Sequence, residues 1–364
     1  MKLLILSDAN SIHTQKWVTS LIKSDFEIQL FSLFKPKLDL SKIYERYNVK
    51  VISPDLELRT KSLREPNLSK IRYLQSIPLL RKTIARFNPD ILHAHYASSY
   101  GLLGVLTRFK PLFISVWGSD IYYFPYKNKF NKWLLNKILN NCDRIFSTSN
   151  AMKQIIEKEY NRFDVKVISF GIDLKLFKPK KNKSKFIVGT IKSLESHNGI
   201  DCLIDAAELV VKRYNDKIDF QIIGKGLLKD ELEQRVKNLN LEKNVKFLGF
   251  VPHKSVVEYY NYFSIFVAVS TRESFGVSVL EAAACEIPSI TSNVGGLKEV
   301  NKNNETGIII EPNDPIRLAD TIISLYEQNT LRMKLGENAR KRVIKKFNWE
   351  ENLNQMIKAY KSYK

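Results

Sequence analysis

The chain has 364 residues, too many for one compact core and suited to two domains. Hydrophobic residues make up 44% and charged residues 26%, proportions typical of a folded soluble protein rather than a disordered one. The 58 Lys and Arg residues against 38 Asp and Glu give a formal charge of +20. This excess favours an anionic partner, although a Lys-rich composition explains part of it.

Signals for targeting and for a cofactor are weak. Cys142, Cys202 and Cys285 lie far apart, which argues against a disulfide framework and a zinc site. The apolar run at the N-terminus meets Asp8 too early for a signal peptide, and no window approaches the roughly 18 apolar residues of a spanning helix. We therefore expect a cytoplasmic protein whose basic surface can touch an anionic membrane at the inner face of the cell.

Short apolar runs alternate with amphipathic stretches, a pattern typical of βα units around parallel sheets. In the first half, strands are predicted over 2–7, 26–32, 90–95, 112–116, 144–148 and 165–169. Helices are predicted between them over 14–23, 99–109, 130–140 and 151–159.

A polar, Lys-rich stretch that includes Pro179, residues 178–185, is typical of a linker. After it, strands are predicted over 186–189, 220–223, 245–250, 265–269 and 287–291, with helices over 200–214 and 228–239. The sequence thus predicts two similar α/β domains, 1–177 and 178–347. Because open parallel sheets bind ligands at the carboxyl ends of their strands, we expect the loops of both to face a central cleft.

Residues 271–296 follow an apolar strand and continue as a helix of small residues that ends before Pro288. Gly276 would let a ligand approach the backbone where the helix begins, and the free N–H groups there suit a diphosphate. Glu273 lies in the loop before the helix and Glu281 about one turn inside it. Carboxylates accept hydrogen bonds from hydroxyls, so the pattern fits a sugar nucleotide. Acids that only complement the helix dipole would fit it equally.

The spacing of Glu273 and Glu281, with seven residues between them, resembles the signature of family 4 glycosyltransferases. These are retaining enzymes of the GT-B fold, which has two Rossmann-like, doubly wound domains facing a central cleft. The resemblance implies that Glu273 contacts hydroxyls of the transferred sugar and that Glu281 holds the ribose. Segments 167–173, 220–226, 245–251, 292–299 and 305–307 also resemble the family. The implied donor contacts are Thr190, Val251 (near the base), Ser274, Phe275, Gly276 and Val277.

The sequence departs from the family at two cations that grip the diphosphate. Family members have an Arg after the Gly of the second domain's first strand and, farther on, a Lys-Gly pair. Here Thr190 follows Gly189, and Asn198 takes the place of the later Lys. Lys192 can replace the Arg as a point charge, without its bidentate fork. We predict that Lys192 offsets the charge of the leaving diphosphate and acts with Glu273 in catalysis.

Candidate acceptor contacts follow strands of the first domain. His93 and His95 alternate along one strand and so point to the same side of its sheet. They lack a third metal ligand, which leaves hydrogen bonding in the cleft or simple packing. Trp117 stands where the family motif has His, Asp120 matches that motif, and His13 lies in the loop after the first strand. We expect His13 and His95, from their positions at the ends of strands, and Trp117 and Asp120, from the resemblance, to face the acceptor.

Four other features concern surfaces and ends. Residues 126–133 interleave aromatic residues with lysines, which fits either a helix at a membrane interface or a solvated helix face. Residues 348–364 resemble the last helix of the family and are expected to join the first domain. Glu286 replaces a family Gly, a change that concerns the end of a helix. His253 is predicted to be a surface residue.

These features predict a retaining glycosyltransferase. It would move a sugar from a nucleotide-sugar donor, a UDP-sugar, to a glycan or lipid-linked acceptor in bacterial surface polysaccharide biosynthesis, including lipopolysaccharide. We expect no metal or other cofactor, because the nucleotide sugar is a substrate, and no nucleic-acid partner, because no such module is recognisable. Two alternatives stay open: a GT-B sugar-nucleotide epimerase, and a catalytically weak subunit that binds sugar nucleotides.

Overall fold

The computed structural model describes residues 1–56, 71–180 and 185–363. They form two compact units, Met1–Ile168 together with Leu353–Lys364, and Ser169–Asn352. The predicted linker falls partly on residues 181–184, which lie outside the described residues.

The first unit is built on a parallel sheet of seven described strands. The strands are β1 (Lys2–Leu6), β2 (Glu27–Phe31), β3 (Lys50–Ile52), β4 (Ile91–His95), β5 (Leu112–Val116), β6 (Arg144–Ser147) and β7 (Val165–Val167). The helices are α1 (Ile12–Ile22), α2 (Leu38–Arg46), α3 (Ile71–Leu74), α4 (Ile77–Phe87), α5 (Leu102–Thr107), α6 (Ser119–Tyr122), α7 (Lys129–Asn140) and α8 (Asn150–Tyr160). A π-helical turn, Ala97–Gly101, precedes α5, and a 3-10 turn, Pro125–Lys127, precedes α7.

The strand order β3-β2-β1-β4-β5-β6-β7 reverses direction between β1 and β4. In such sheets, the loops that follow these two strands run in opposite directions, and a crevice opens between them. Every residue of β4 and β5 is buried, because helices cover both faces of a parallel sheet. The polar residues His93 and His95 are therefore interior residues of β4, and their hydrogen bonds decide what they do.

The second unit has a parallel sheet of six described strands in the order β10-β9-β8-β11-β12-β13. They are β8 (Phe186–Ile191), β9 (Ile218–Ile223), β10 (Val245–Gly249), β11 (Ile265–Ala268), β12 (Ser289–Ser292) and β13 (Gly307–Ile310). The helices are α9 (Ile200–Tyr214), α10 (Lys229–Asn238), α11 (Val256–Tyr262), α12 (Val277–Ala284), α13 (Leu297–Val300), α14 (Pro315–Glu327) and α15 (Asn329–Lys346). The last helix, α16 (Trp349–Lys361), begins in this unit, and its residues from Leu353 onward belong to the first unit. Two 3-10 turns are Ser196–Asn198 and Asn215–Lys217. This order reverses between β8 and β11, so the loops after these two strands form the second candidate crevice.

The division between the units differs from the predicted boundaries at 177/178 and 347/348. The second unit begins at Ser169, because Phe177 is buried there, with its ring centroid 5.6 Å from that of His253 and 6.0 Å from that of Tyr260. At the other end, Asn352 still belongs to the second unit, where its amide donates to the Ser169 carbonyl at 3.0 Å. The first unit resumes at Leu353, inside α16.

The aromatic residues of the predicted interfacial segment lie on the surface of the first unit. Phe130 and Trp133 are 64% and 53% exposed, and their ring centroids are 5.6 Å apart on α7. Tyr126, just before α7, is also exposed. No helix within 1–56, 71–180 and 185–363 is long and apolar enough to cross a membrane.

Candidate active site

A nearly buried ion pair lies where the strand order of the second unit reverses. Lys192 directly follows β8, and Glu273 lies in the loop after β11. The Lys192 ammonium donates to the Glu273 carboxylate, and the two side chains are only 10% and 18% exposed. Burial opposes ionisation of Glu273, but the charge and hydrogen bond of Lys192 outweigh it and hold the pKa of Glu273 below its usual value. Both predicted catalytic residues are thus in one place, paired with each other.

Close backbone contacts fix the two loops that carry this pair. The Lys192 N–H donates to the Ile223 carbonyl at 3.0 Å, and the Thr271 N–H donates to the His197 carbonyl at 2.9 Å. Gly224 has a φ of +149° and lies against the Lys192 carbonyl, which leaves no room for a Cβ. The position of Lys192 is therefore set by the backbone of neighbouring strand ends.

The position of the second family cation is occupied by a structural amide. Asn198 is buried, and its Nδ2 donates to the carbonyl and the hydroxyl oxygens of Ser193, both at 2.8 Å. The bond closes the loop between β8 and α9. Asn198 thus braces this loop and brings no positive charge.

Gly276 begins α12 in a backbone conformation that favours glycine, with φ at +100°. A Cβ at Gly276 would lie 2.8 Å from a methyl carbon of Leu297 and 3.2 Å from one of Val300. The missing side chain therefore makes room for α13. The first N–H groups of α12 lie at the start of the helix, where such groups lack intrahelical acceptors.

The other predicted donor-side residues separate into core and surface. Phe275 is buried, and its ring centroid lies 6.4 Å from that of Phe170 and 5.8 Å from that of Phe347, so it is a core residue. Thr190 is likewise buried inside β8. Partial exposure is found at Val251, Ser274 and Val277.

Glu281 is the second carboxylate of the sequence signature, and two side chains hold it. It is 6% exposed; its Oε1 lies 2.7 Å from Nε2 of His253, and its Oε2 accepts from the Tyr260 hydroxyl at 2.9 Å. Burial and then the charge of Glu281 raise the pKa of Tyr260 well above its usual value, which keeps this hydroxyl a donor. The structure places His253 in this pair rather than on an open surface as predicted, and sequence spacing gave no sign that Tyr260 reaches Glu281.

At the strand reversal of the first unit, three predicted acceptor-side residues lie together. The ring of His95 lies 4.4 Å from that of Trp117 at 32°, and the His13 ring is 5.9 Å from Trp117. His95 is buried, with Nδ1 3.0 Å from the Ser7 hydroxyl. Burial, followed by the neighbouring histidines, holds the pKa of His95 well below its usual value, so this ring is neutral at pH 7. His13 and Trp117 are partly exposed.

His93 is an interior residue. Its Nδ1 lies 2.6 Å from the Tyr360 hydroxyl and its Nε2 lies 2.9 Å from the Ser115 hydroxyl. Burial lowers its pKa to about 3. Both ring nitrogens have protein partners, so of the two readings for His93, hydrogen-bonded packing is the one that the structure favours.

Asp120 differs from its predicted place facing an acceptor. It is completely buried, and its carboxylate accepts from the backbone N–H groups of Ala97 at 2.9 Å and Gly118 at 2.8 Å. Burial raises the pKa of Asp120, and these hydrogen bonds oppose that rise. Asp120 therefore ties the loop after β4 to the loop after β5.

The described residues contain no group of three His, Cys, Asp or Glu side chains that could hold a metal ion. The candidate site of the second unit contains the carboxylates of Glu273 and Glu281, the ammonium of Lys192 and the start of α12. An aromatic and imidazole cluster lies at the strand reversal of the first unit.

Comparison with known proteins matches both units. The model of "Glycosyl transferases group 1" matches residues 172–342, and that of "Glycosyl transferase 4-like" matches residues 2–149. An uncharacterized glycosyltransferase of Methanocaldococcus jannaschii is 29% identical over 303 residues, 81% of this chain and 83% of the relative. N-acetyl-alpha-D-glucosaminyl L-malate synthase of Bacillus anthracis is 28% identical over 293 residues, 76% of this chain and 75% of the relative.

The fold also matches a solved structure over the full length of both chains. Anabaena HepE, crystallised with UDP, superposes with a TM-score of 0.82 at 20% identity, covering 100% of each chain. With two parallel-sheet units and this neighbour, the predicted fold class is confirmed. Residues 172–342 thus match the glycosyl transferases group 1 family and residues 2–149 the glycosyl transferase 4-like family, and the chain is a glycosyltransferase of the GT-B fold.

Proposed function

We propose that this enzyme transfers a sugar from a UDP-sugar to a glycan or lipid-linked acceptor and retains the anomeric configuration. The observation that carries the proposal is the Lys192–Glu273 pair beside the start of α12. An ammonium and free helix N–H groups suit a diphosphate, and a carboxylate next to them suits sugar hydroxyls. The setting we propose is bacterial surface polysaccharide biosynthesis, lipopolysaccharide included.

In this proposal each group has one task. The diphosphate lies at the start of α12, by Ser274, Gly276 and Val277. Glu273 accepts hydrogen bonds from the sugar, and Glu281 from the ribose. The UDP bound to Anabaena HepE and the N-acetyl-alpha-D-glucosaminyl group in the name of the Bacillus anthracis relative support UDP-N-acetylglucosamine as the first donor to test.

The reaction that we propose breaks the bond between the anomeric carbon and the diphosphate oxygen. The acceptor hydroxyl forms its new bond on the same face, and a diphosphate oxygen takes its proton. Lys192 offsets the charge that builds on the leaving group, and such preorganised stabilisation is usually the largest catalytic contribution. No resident metal is needed in this scheme, because protein N–H groups and Lys192 face the phosphates.

On the first unit, we propose that the acceptor meets the partly exposed His13 and Trp117. The Trp117 ring, after β5, contacts the ring of His13 in the first turn of α1 and that of His95 at the end of β4. The exposed Phe130 and Trp133 and the charge of +20 support contact of a cytoplasmic enzyme with an anionic membrane surface, where lipid-linked acceptors are found.

A second candidate function is favoured by one observation. The charge of Lys192 is already matched by Glu273, and the neutral Asn198 stands at the second cation position. Both reduce the positive charge that faces a diphosphate. A catalytically weak subunit that binds sugar nucleotides would fit this arrangement.

One assay separates these functions. The enzyme is incubated with UDP-N-acetylglucosamine, UDP-glucose, GDP-mannose or ADP-glucose, with and without a panel of tagged oligosaccharides and lipid-linked sugars. The proposal expects acceptor-dependent release of nucleoside diphosphate and a product with the donor's anomeric configuration by NMR, both lost in Glu273→Ala. Binding of a nucleotide sugar without release of nucleoside diphosphate from any donor would support the catalytically weak subunit. A sugar isomer formed without acceptor would indicate the epimerase.

A further inference from the structure

The carboxylate of Glu281 is held at both oxygens by the protein. His253 reaches Oε1 at 2.7 Å, and the Tyr260 hydroxyl donates to Oε2 at 2.9 Å. Each carboxylate oxygen can accept two hydrogen bonds, so one acceptor position remains on each. That pair of positions matches two adjacent hydroxyls of a ligand.

Because Glu281 is almost fully buried, the orientation of its carboxylate decides whether a ligand can form hydrogen bonds with it. Only 6% of the residue is exposed, so a ligand reaches the carboxylate along a narrow edge. The last torsion of a Glu side chain has a broad, roughly two-fold preference, and hydrogen bonds must choose its angle. Charge-assisted bonds to the two oxygens are strong enough to do so.

His253 is the partner that lies on the accessible side. Tyr260 is completely buried in α11, whereas the side chain of His253 is 34% exposed in the loop after β10. The His253 ring is itself restrained by Phe177, at a centroid distance of 5.6 Å. The imidazole that contacts Glu281 is therefore both restrained and partly exposed, and it lies two residues along the chain from Val251 and its predicted contact with the base.

We propose that His253 is a positioning residue for the donor nucleoside. It holds the Glu281 carboxylate at the angle that accepts the adjacent ribose hydroxyls, with Tyr260 fixing the other oxygen from the interior. This role rests on the proposed function, because it presumes that a nucleotide donor binds the second unit. It concerns affinity for the nucleoside and leaves the chemistry at the sugar unchanged.

The test compares UDP with 2′-deoxy-UDP by calorimetric titration of the full-length protein. In the wild type, the ribose hydroxyl that meets Glu281 should favour UDP by about tenfold, the effect of one hydrogen bond to a charged group. In His253→Ala, the Kd of UDP should rise about tenfold while that of 2′-deoxy-UDP changes less than threefold. This non-additivity is what coupling through Glu281 requires. His253→Gln restores an N–H at a similar reach and should recover most of the preference.

Kinetics and a neighbouring variant provide the controls. In His253→Ala, the KM for the donor should rise while kcat stays within threefold of wild type. Glu258→Ala, an exposed change on α11, should alter the Kd of neither UDP nor 2′-deoxy-UDP. Equal weakening of UDP and 2′-deoxy-UDP in His253→Ala would indicate a merely structural role and overturn the inference. A wild type that prefers UDP while His253→Ala keeps that preference would overturn it and leave the proposed function standing. A wild type that binds none of UDP, GDP and ADP would overturn both.

Discussion

At the scale of single residues, the ion pair of Lys192 and Glu273 is the feature on which the site depends. Each charge is taken from water, and each is compensated by the other. A donor that offers a diphosphate to the ammonium and hydroxyls to the carboxylate can replace this contact with two new ones. The pair therefore keeps two charges in place without leaving either one unpaired before the donor arrives.

Replacing Lys192 tests its proposed role in charge stabilisation. Lys192→Met keeps the length of the side chain and removes the charge, so kcat should fall by about 10²-fold or more, as when one preorganised donor is lost from a transition state. Lys192→Arg should retain more activity than Lys192→Met. Steady-state kinetics with saturating donor measure this, and an unchanged kcat in Lys192→Met would remove the residue from the mechanism.

Sequence patterns predicted these residues because the signature has a fixed spacing and sits at a strand end. They could not predict the pairing of Glu281 with His253 and Tyr260, because residues from three separate segments meet only after folding. Asp120 shows the opposite failure. Its match to a family motif suggested a ligand contact, but its burial among backbone N–H groups makes it a loop brace.

At the scale of elements, most strands were predictable, and β3 and β13 were not. The predicted strand 112–116 coincides with β5, and even the three residues of β7 fall within the predicted strand 165–169, whereas no strand was predicted at β3 or β13. The sequence patterns did not predict the amphipathic helix α4, because basic residues on its exposed face separate its apolar residues. The predicted change at a helix end is visible at Glu286, which follows α12 with φ at +60°, a conformation that glycine adopts most readily.

The burial of His93 in β4 makes the first unit sensitive to acid. The folded state keeps this ring neutral because its pKa is lowered to about 3, whereas the unfolded chain binds a proton near pH 6.5. The contribution of the neutral His93 ring to the free energy of unfolding is complete above about pH 6.5 and is lost as the pH falls toward 3. Between pH 6.5 and 5 the free energy of unfolding should therefore decrease by about 2 kcal/mol.

The variant His93→Gln isolates this contribution, because it leaves the other titrating groups in place. Guanidinium unfolding followed by tryptophan fluorescence reports mainly on the first unit, which holds Trp17, Trp117 and Trp133. The variant should be less stable at pH 7 but lose about 2 kcal/mol less than wild type when the pH is lowered to 5. Parallel losses in the two proteins would contradict the account.

At the scale of the whole molecule, the charge of +20 and the exposed aromatic residues of α7 both favour the proposed binding to an anionic membrane surface. Basic charge is attracted to anionic lipid, and aromatic rings enter the interface between headgroups and acyl chains. Neither feature is decisive alone, because lysines are frequent throughout this sequence and single exposed aromatic residues are common on protein surfaces.

Vesicle binding tests this surface. The double variant Phe130→Ser with Trp133→Ser should reduce partitioning onto phosphatidylglycerol vesicles at least tenfold, because burying either ring contributes about 1.5–3 kcal/mol. The matched control is Phe163→Ser, which removes a ring that is 71% exposed elsewhere in the first unit. Sedimentation with vesicles should show little binding to phosphatidylcholine. Equal loss in the control and the double variant would argue against a defined membrane face.

In the proposed function, the second unit binds a nucleotide sugar, with Glu281 on the nucleoside and Glu273 on the sugar. Calorimetric titration of UDP into wild type, Glu281→Ala and Glu273→Ala tests it most directly. Wild type should bind UDP, and Glu281→Ala should bind at least tenfold more weakly, since a hydrogen bond to a charged group is lost. Glu273→Ala should bind at least as tightly as wild type, because it frees Lys192 for the diphosphate. Equal weakening in both variants, or no binding of UDP to the wild type, would contradict the account.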